Sequence, residues 1–374
     1  MCKKILIICP DLKLPGGIAG YYSSLKNHFS YGIEYFFIGA RKRNESNFLK
    51  PFNLIRDVLF LFLHLLKSGK KYDLVCLNPS FIPFCIVREG MLLQVIKYFR
   101  IKVIVFFRGW SWDFSKIVEK RYFKLFFQTY NKTDSFIALS KEFKNQLRAW
   151  GFNQPVFLET TVVDKLLLNG YTIEDRMERI RSSSSSITIL FLSRVEKEKG
   201  IIEAIDALNI LIKSYPKIRM LVAGVGSYLS ESIEHCKSLA LEKNVNFLGW
   251  ITGEQKSRVL ADSDILLLPT YREGMPNCVL EAMAFGIPVV TRPIGGLKDF
   301  FVDGKFGFMT ESTEPETIAS LVDSIIVNRP LREYMSIQSF NYAHDHFFSG
   351  SVTRRLEIIY DKVQFGIRCS LGKI

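Results

Sequence analysis

Short apolar runs recur along the first 165 residues, and segments with helical periodicity lie between them. The runs that predict strands are Ile5–Cys9, Tyr35–Ile38, Leu74–Leu77, Val103–Phe107, Ser135–Leu139 and Val156–Leu158. The segments that predict helices are Phe52–Lys71, Arg88–Tyr98, Lys116–Asn131 and Lys141–Trp150. This alternation of strands and helices predicts a parallel sheet whose two faces are covered by helices.

A second alternation follows a polar stretch. That stretch ends in the serine run Ser182–Ser186, and its loss of apolar periodicity predicts an interdomain linker over residues 166–186. The strands predicted beyond it are Ile187–Leu192, Met220–Ala223, Asn246–Leu248, Ile265–Leu268 and Pro288–Thr291, with helices beginning near Gly200, Ser230, Gly253 and Asn277. The sequence therefore predicts an α/β fold with two Rossmann-like domains, residues 1–165 and 187–340. Residues 341–374 are predicted to form a helical tail that packs back on the first domain.

Charge is distributed unevenly between the two predicted domains. Residues 1–165 hold 26 of the 50 Lys and Arg residues but only 12 of the 37 Asp and Glu residues. All of the formal net charge of +13 therefore lies in the first half of the chain. A basic domain beside a neutral one indicates an anionic partner, such as a membrane surface, a lipid phosphate or a nucleic acid. The alternative is charge that serves only solubility.

The composition disfavours several classes of protein. The 7 cysteines form no Cys-x-x-Cys pair and no Cys/His cluster at metal-ligand spacing, so we expect no metal and no disulfide framework, and a reducing cytoplasm is favoured. The segment Met1–Pro10 has no signal-peptide cleavage site, and it predicts a first buried strand. The most apolar stretch, Leu54–Leu66, contains charged residues and is too short to cross a bilayer, so no transmembrane helix is predicted.

Two glutamates stand out in the stretch from Pro269 to Gly307. Glu273 ends the loop after an apolar strand, and Glu281 lies about one turn inside the following helix. Both side chains are predicted to face a ligand at the carboxyl end of the strand, where open α/β sheets bind their ligands. The alternative is that both are ordinary solvated glutamates.

The backbone around these glutamates favours an anionic ligand. Gly274 allows close approach, while Met275 and the helix start at Asn277 offer N–H groups and the positive end of a helix dipole. Pro276 has no N–H to donate. Because carboxylates beside a phosphate are better suited to accept hydrogen bonds from hydroxyl groups, we assign Glu273 to a transferred sugar and Glu281 to a ribose.

The same residues match a known motif in one register. The run Glu-Gly-x-Pro-x-x-x-x-Glu-Ala-Met-Ala-x-Gly-x-Pro-Val-Val begins at Glu273, and Gly295, Gly296 and Gly307 follow it. This pattern resembles the signature of the family 4 retaining glycosyltransferases. The resemblance implies the GT-B architecture, in which two Rossmann-like domains face a cleft and the second domain holds the donor. Its motifs are concentrated in residues 187–310.

The stretch Leu192–Gly200 resembles a second family element, Gly-Arg-x-x-x-x-Lys-Gly, with Ser193 in place of the first glycine. The resemblance implies that Arg194 and Lys199 hold the donor diphosphate and, with Glu273, form the catalytic set. Cations aimed at a departing diphosphate stabilise the transition state more than the ground state, which removes the need for a metal. By itself the stretch is equally compatible with a basic surface loop.

Smaller elements resemble other parts of the donor site. Gly16 and Gly17, in the first strand-to-helix loop, match a glycine pair whose amides approach the donor phosphate. Gly224 follows a strand as the second glycine turn of the family does. Trp250 and Ile251 lie in a stretch that resembles the one packed against the donor base. Each of these matches is weak alone.

One position departs from the family pattern. Many members carry a histidine before the glycine in the stretch that corresponds to Val105–Asp113, whereas this chain has Arg108 before Gly109. An arginine cannot act as a general base, so we assign Arg108 to a phosphate or carboxylate of the acceptor. Gly109 and Trp110 complete the expected acceptor-binding set, with the indole as a stacking surface.

The resemblance implies a retaining, metal-independent hexosyltransferase without a cofactor. It would move a sugar from a nucleoside-diphosphate sugar to a hydroxyl of a glycan or lipid-linked glycan, in the assembly of bacterial O-antigen, capsule or exopolysaccharide. We expect a cytoplasmic protein whose basic half contacts the inner face of an anionic membrane. The alternatives are a nucleotide-sugar epimerase of the same architecture, a degenerate sugar-nucleotide-binding protein, and a nucleic-acid-binding protein. No nucleic-acid motif is found, so no nucleic-acid partner is expected.

Overall fold

The computed structural model describes residues 4–14, 16–30, 32–39, 50–182 and 186–365. The chain divides into two compact units, Met1–Thr161 with Ser349–Ile374, and Val162–Phe348. Residues 183–185 of the predicted linker and residues 366–374 of the predicted tail lie outside the described residues. Each unit contains a six-stranded sheet in which every pairing is parallel. The α/β class and the two Rossmann-like domains of the GT-B architecture are thus confirmed.

The first unit is built on a sheet of buried strands. These are β1 (Lys4–Cys9), β2 (Gly32–Phe37), β3 (Leu74–Leu77), β5 (Lys102–Phe107), β7 (Ser135–Ala138) and β8 (Val156–Leu158). Their order is β2-β1-β3-β5-β7-β8, and two short strands, β4 (Ser80–Phe81) and β6 (Gly109–Trp110), pair separately. Every side chain of β3 and β7 is buried because helices cover both faces, which explains the continuous apolar runs. All six strands predicted for this half are confirmed.

Helices α1 to α6 and the last helix cover this sheet. They are α1 (Gly17–Leu25), α2 (Lys50–Ser68), α3 (Pro83–Tyr98), α4 (Trp112–Ile117), α5 (Phe123–Tyr130), α6 (Lys141–Ala149) and α15 (Ser349–Phe365), with a π-helical turn at Val118–Tyr122. Helix α3 begins five residues earlier than predicted because Pro83 is tolerated in a first helical turn. No helix among the described residues is long and apolar enough to span a membrane.

Helix α15 is fixed to the first unit by polar contacts. The Lys102 ammonium donates to the carbonyl oxygens of Val363 at 3.1 Å and Gln364 at 2.7 Å. The Arg355 guanidinium donates from Nη2 to Oε1 of the buried Glu159 at 2.6 Å. Helix α15 therefore completes the fold of the first unit, although it follows the second unit in sequence.

The second unit repeats the layered arrangement. Its strands are β9 (Thr188–Leu192), β10 (Arg219–Ala223), β11 (Val245–Gly249), β12 (Ile265–Leu268), β13 (Val289–Thr291) and β14 (Gly307–Met309), in the order β11-β10-β9-β12-β13-β14. Its helices are α7 (Ile173–Ser182), α8 (Ile201–Leu211), α9 (Leu229–Ser238), α10 (Gly253–Ala261), α11 (Asn277–Ala284), α12 (Leu297–Phe300), α13 (Pro315–Val327) and α14 (Arg329–His346). The first five strands are confirmed, and the three-residue edge strand β14 was not predicted.

Helix α7 lies inside the segment predicted as a linker. Arg176 on this helix is fully buried and donates to the carbonyl oxygens of Phe285 at 2.9 Å and Ser263 at 2.7 Å. Arg179 donates to both carboxylate oxygens of Asp264 at 3.0 Å. Part of this polar segment is therefore a helix packed on the second unit. The segment is rich in arginine because these side chains donate hydrogen bonds to buried oxygen atoms of that unit.

Candidate functional site

Lys199 lies at the end of a 3-10 turn, Lys197–Lys199, between β9 and α8. Its side chain is only 6% exposed. The ammonium donates to the carbonyl oxygen of Arg272 at 2.9 Å and to Oε1 of Glu273 at 2.7 Å. A charged group at this depth requires a partner and further hydrogen bonds. The structure thus joins two of the predicted catalytic residues, Lys199 and Glu273, in one ion pair.

The loop that carries Glu273 is held by the glycine pair of the motif. Gly296 donates its backbone N–H to the carbonyl oxygen of Gly274 at 2.7 Å. Gly295 has a φ of 49°, and a Cβ atom there would lie 2.4 Å from the carbonyl oxygens of both Glu273 and Gly274. Because only glycine fits at this position, the motif fixes the Glu273 loop against the loop after β13.

Glu281 forms a second lysine–glutamate pair. It lies on α11, and the ammonium of Lys256 on α10 is 2.7 Å from Oε1 and 2.6 Å from Oε2. Sequence analysis did not identify Lys256. The contact depends on how α10 packs beside α11, which the sequence does not show. The local sequence indicates only that Lys256 lies four residues after Thr252, near the start of the helix that follows Trp250.

The two pairs lie close enough to act on one thiol. Burial raises the pKa of Cys278, the first-turn cysteine of α11, and the charges of Glu273 and Glu281 raise it further, whereas those of Lys256 and Lys199 lower it. The thiol is therefore neutral at physiological pH. The charges of both lysine–glutamate pairs thus act on the same side chain at the start of α11.

Gly224 allows the loops after β9 and β10 to pack together. A Cβ atom on Gly224 would lie 1.8 Å from the carbonyl oxygen of Ser193. In the same loops, Ser227 donates to the Glu196 carboxylate from its backbone N–H at 3.2 Å and from its hydroxyl at 2.5 Å. These hydrogen bonds lower the pKa of Glu196. Together they fix the loop that presents Arg194.

Two predicted donor-binding side chains are left at the surface. The side chain of Arg194 is 62% exposed, and its closest carboxylate is that of Glu198 at 4.0 Å. Trp250 is also 62% exposed, whereas its neighbour Ile251 is buried. Arg194 and Trp250 are therefore accessible to a ligand, while the Ile251 side chain packs inside the second unit.

The start of α11 offers backbone donors. Pro276 precedes the helix, Asn277 begins it, and no side chain accepts a hydrogen bond as its N-cap. The first N–H groups of a helix have no intrahelical acceptor and lie at the positive end of its dipole. Met275 is buried beside them, and Gly274 is half-buried. The predicted anion-binding backbone is thus available at Asn277, one turn before Glu281.

The predicted residues of the first unit are arranged differently. Gly16 and Gly17 begin α1, and a Cβ atom on either would meet no atom within 4 Å. Packing does not require glycine there, so their backbone is open to a ligand. Pro15 in the same loop lies outside the described residues.

Trp110 contacts protein rings rather than solvent alone. Its indole stacks on Phe81 with a centroid distance of 4.3 Å and on Phe143 at 5.0 Å. Gly109 belongs to the short strand β6, which pairs with β4. The stacking role assigned to Trp110 therefore stays a prediction, since its ring already contributes to an aromatic cluster of the first unit.

No candidate metal site is found in the part of the chain that the structure describes. In that part, no group of three or more His, Cys, Asp or Glu side chains could hold a metal ion. The charged side chains described above for the candidate site of the second unit are those of Arg194 and the two lysine–glutamate pairs.

A family model and several related proteins match parts of this chain. The family model described as glycosyl transferases group 1 matches residues 172–341. The capsular polysaccharide biosynthesis glycosyltransferase CapM of Staphylococcus aureus is 26% identical over 60% of this chain and 57% of its own length. An uncharacterised 41.2 kDa protein of the cps region of Klebsiella pneumoniae is 26% identical over 72% of this chain and 74% of its own length.

Solved structures share the fold over nearly the whole chain. HepE of Anabaena, solved with UDP and glucose, has a TM-score of 0.68 at 17% identity and covers 96% of this chain and 99% of its own. Sucrose-phosphate synthase of Thermosynechococcus elongatus has a TM-score of 0.75 at 16% identity, covering 97% and 100%. These likenesses establish the fold, and the matched sequence contains every predicted donor residue of the second unit. Residues 172–341 of this chain match the glycosyl transferases group 1 family.

Proposed function

We propose that the protein is a retaining, metal-independent glycosyltransferase that moves a hexosyl unit from a nucleoside-diphosphate sugar to a hydroxyl group. The observation that supports this most directly is the presence of two lysine–glutamate contacts, Lys199 with Glu273 in the loop before α11 and Lys256 with Glu281 on α11. Cations suit a diphosphate and carboxylates suit sugar hydroxyls. The two pairs thus supply both kinds of group that a sugar nucleotide needs.

The proposed chemistry uses positioning and electrostatics. As the bond between the sugar and the diphosphate breaks, negative charge grows on the leaving phosphate, and Lys199 and Arg194 stabilise it. The backbone N–H groups at Met275 and Asn277 add to this stabilisation, as do those of Gly16 and Gly17. Because the cations act mainly on the developing charge, they lower the barrier more than they strengthen ground-state binding.

The glutamates bind in this proposal and do not attack. Glu273 accepts hydrogen bonds from the hydroxyls of the transferred sugar, and Glu281 accepts them from the ribose, while Trp250 and Ile251 flank the base. Lys199 already holds the Glu273 carboxylate in a defined position. Retention then follows from attack of the acceptor hydroxyl on the face from which the diphosphate leaves, with the departing phosphate taking the hydroxyl proton.

A surface-polysaccharide setting is the proposed biological context. The named relative acts in capsular polysaccharide biosynthesis and a second is encoded in a cps region. The acceptor would then be a glycan or lipid-linked glycan in bacterial O-antigen, capsule or exopolysaccharide assembly. We place the reaction in the cytoplasm, at the inner face of the membrane.

Helix α2 supplies the surface for that membrane contact. Ile55, Leu59, Leu63 and Leu66 are each at least 50% exposed and recur at helical spacing. Exposed lysines follow at Lys67 and in the turn after the helix. An apolar stripe beside basic residues suits the interface of an anionic bilayer, since the apolar side chains enter it and the lysines meet its phosphates. Failure to float with either anionic or neutral vesicles would contradict this contact.

Product analysis tests the transferase activity. The protein is incubated with a panel of nucleotide sugars, with and without a lipid-linked glycan fraction from a capsulated bacterium, and released nucleoside diphosphate is measured. We expect release that requires the acceptor, and a product whose anomeric configuration by NMR equals that of the donor. Conversion of one nucleotide sugar into another without acceptor would instead indicate an epimerase. Binding without any turnover would indicate a degenerate protein.

A further inference from the structure

Arg108 carries donor groups without an acceptor. It directly follows β5, and its backbone N–H donates to the carbonyl oxygen of Pro79 at 2.8 Å. The guanidinium carbon lies 3.7 Å from the ring centroid of Tyr21 and 4.3 Å from that of Phe106. Nε and Nη1 are buried, and neither has a hydrogen-bond partner among the described residues. A buried guanidinium N–H without an acceptor is costly, so its retention requires a reason.

Tyr21 holds the guanidinium and adds a second donor. Its side chain is 2% exposed, and its hydroxyl also lacks a partner in the described structure. Burial raises the pKa of Tyr21, although Arg108 lowers it, so the phenol keeps its proton. Tyr21 lies about one turn after Gly17, at the carboxyl edge of the sheet where the α1 backbone is open. The edge thus presents a stacked cation and a neutral O–H group.

The carboxylate of Glu159, at the same edge of the sheet, is already paired with another arginine. Glu159 follows β8 at the same edge, and it is buried with an exposure of 3%. Arg355 donates to this carboxylate from Nε at 3.1 Å and from Nη2 at 2.6 Å, and the Thr160 N–H donates at 2.8 Å. The charge of Arg355 therefore balances that of Glu159, and neither Nε nor Nη1 of Arg108 bonds to this carboxylate.

We propose that Arg108 and the Tyr21 hydroxyl bind an anionic group of a substrate, a carboxylate or a phosphoryl group. This inference rests on the proposed transferase function and names the class of substrate: either the donor sugar is a uronic acid or the acceptor carries a phosphate or acidic sugar close to the reacting hydroxyl. A guanidinium fork held by ring stacking loses little freedom on binding and matches two oxygens of such a group. Trp110, whose ring is packed on Phe81, is not part of this site.

Calorimetric binding with Arg108→Gln tests the inference. The probes are UDP-glucose and UDP-glucuronic acid, which differ only in a carboxylate, and inorganic pyrophosphate added to protein saturated with UDP-glucose. Arg121→Gln is the matched control, since Arg121 is an exposed arginine of the same unit. Arg108→Lys keeps the positive charge but removes the planar guanidinium, which can donate to two oxygens at once. Circular dichroism spectra and melting temperatures verify that each variant folds.

Two results support the inference and distinguish its sources. Weaker binding of UDP-glucuronic acid alone, by about tenfold to a hundredfold in Arg108→Gln and less in Arg108→Lys, identifies the donor as the source. If Arg108→Gln instead binds pyrophosphate more weakly by a similar factor, and binds both nucleotide sugars as the wild type does, the anionic group belongs to the acceptor. The inference is overturned if a folded Arg108→Gln variant binds all three probes as the wild type does. UDP-glucose binding to that variant would show that the donor site and the proposed function still stand.

Discussion

The candidate sites of the two units differ in how their cations are neutralised. At the site of the second unit, Lys199 and Lys256 each contact a glutamate within 2.7 Å. In the first unit, two buried nitrogen atoms of Arg108 have no acceptor among the described residues, and α2 has lysines beside an exposed apolar stripe. The proposed donor site would thus be preorganised by its own charge pairs. Arg108 and the α2 lysines instead leave positive charge for an external partner to neutralise, which agrees with the excess of Lys and Arg in residues 1–165.

The largest effect is expected from the cations of the donor loop. Arg194→Ala combined with Lys199→Ala should lower turnover by about 10³-fold or more, because both act on charge that develops in the transition state. Steady-state release of nucleoside diphosphate measures it. Lys237→Ala with Arg258→Ala removes two exposed cations of the same unit and should leave turnover unchanged. Equal losses of turnover in both double variants would show that the rate depends on net charge and not on the positions of Arg194 and Lys199.

A large loss of stability is expected where the loops after β9 and β10 pack together. Gly224→Ala places a Cβ atom 1.8 Å from the carbonyl oxygen of Ser193, so the loops must separate. We expect the second unit to lose about 3 kcal/mol of unfolding free energy, measured by urea denaturation. Gly350→Ala, where a Cβ atom meets open space, is the control. A stable Gly224→Ala variant with normal donor binding would mean that the close packing of these loops is unnecessary.

The strands and the two glutamate loops could be predicted because they depend on local sequence. Buried parallel strands require continuous apolar runs such as Ile265–Leu268, and the Glu273 loop requires glycine at 295 for a contact that no other residue permits. The pairing of Lys256 with Glu281 could not be predicted, since helix packing decides it.

The surroundings of polar and aromatic side chains were the hardest feature to predict from the sequence. Arg176 and Arg179 made residues 166–186 look like a solvated linker, yet they bond to buried oxygens of the second unit. Trp110 was also predicted to stack on a ligand, and its ring stacks on Phe81 and Phe143 as well, so its role in binding stays a prediction. Nothing local distinguishes a polar or aromatic side chain that faces a ligand from one that faces its own protein.

A smaller effect is expected at the apolar stripe of α2, the proposed membrane contact of the first unit. Leu59→Glu with Leu63→Glu should weaken binding to anionic vesicles by about tenfold to thirtyfold, since each half-exposed leucine contributes about 1 kcal/mol on insertion. Sedimentation with vesicles measures this. Leu166→Glu, at an 85% exposed leucine of the second unit, is the control. A membrane affinity that depends equally on Leu166 would remove the distinction between the units.

The smallest effect is expected from the second charge pair. Lys256→Gln should weaken nucleotide-sugar binding by about fivefold to tenfold, because Glu281 loses the ammonium that orients its carboxylate. Titration calorimetry measures it, with Lys237→Gln as an exposed control. If Lys256→Gln bound the donor as the wild type does, the pair would be structural rather than part of a preorganised site.

Heat stabilisation by nucleotide sugars tests the central claim most directly. The melting temperature of the wild type is measured across a panel that varies base and sugar, and again for Glu281→Ala and for the Arg194→Ala, Lys199→Ala double variant. We expect at least one nucleotide sugar to stabilise the wild type and to lose most of that effect with both folded variants. If no donor stabilises correctly folded wild-type protein, or if the variants respond as the wild type does, the donor site is not where these residues place it.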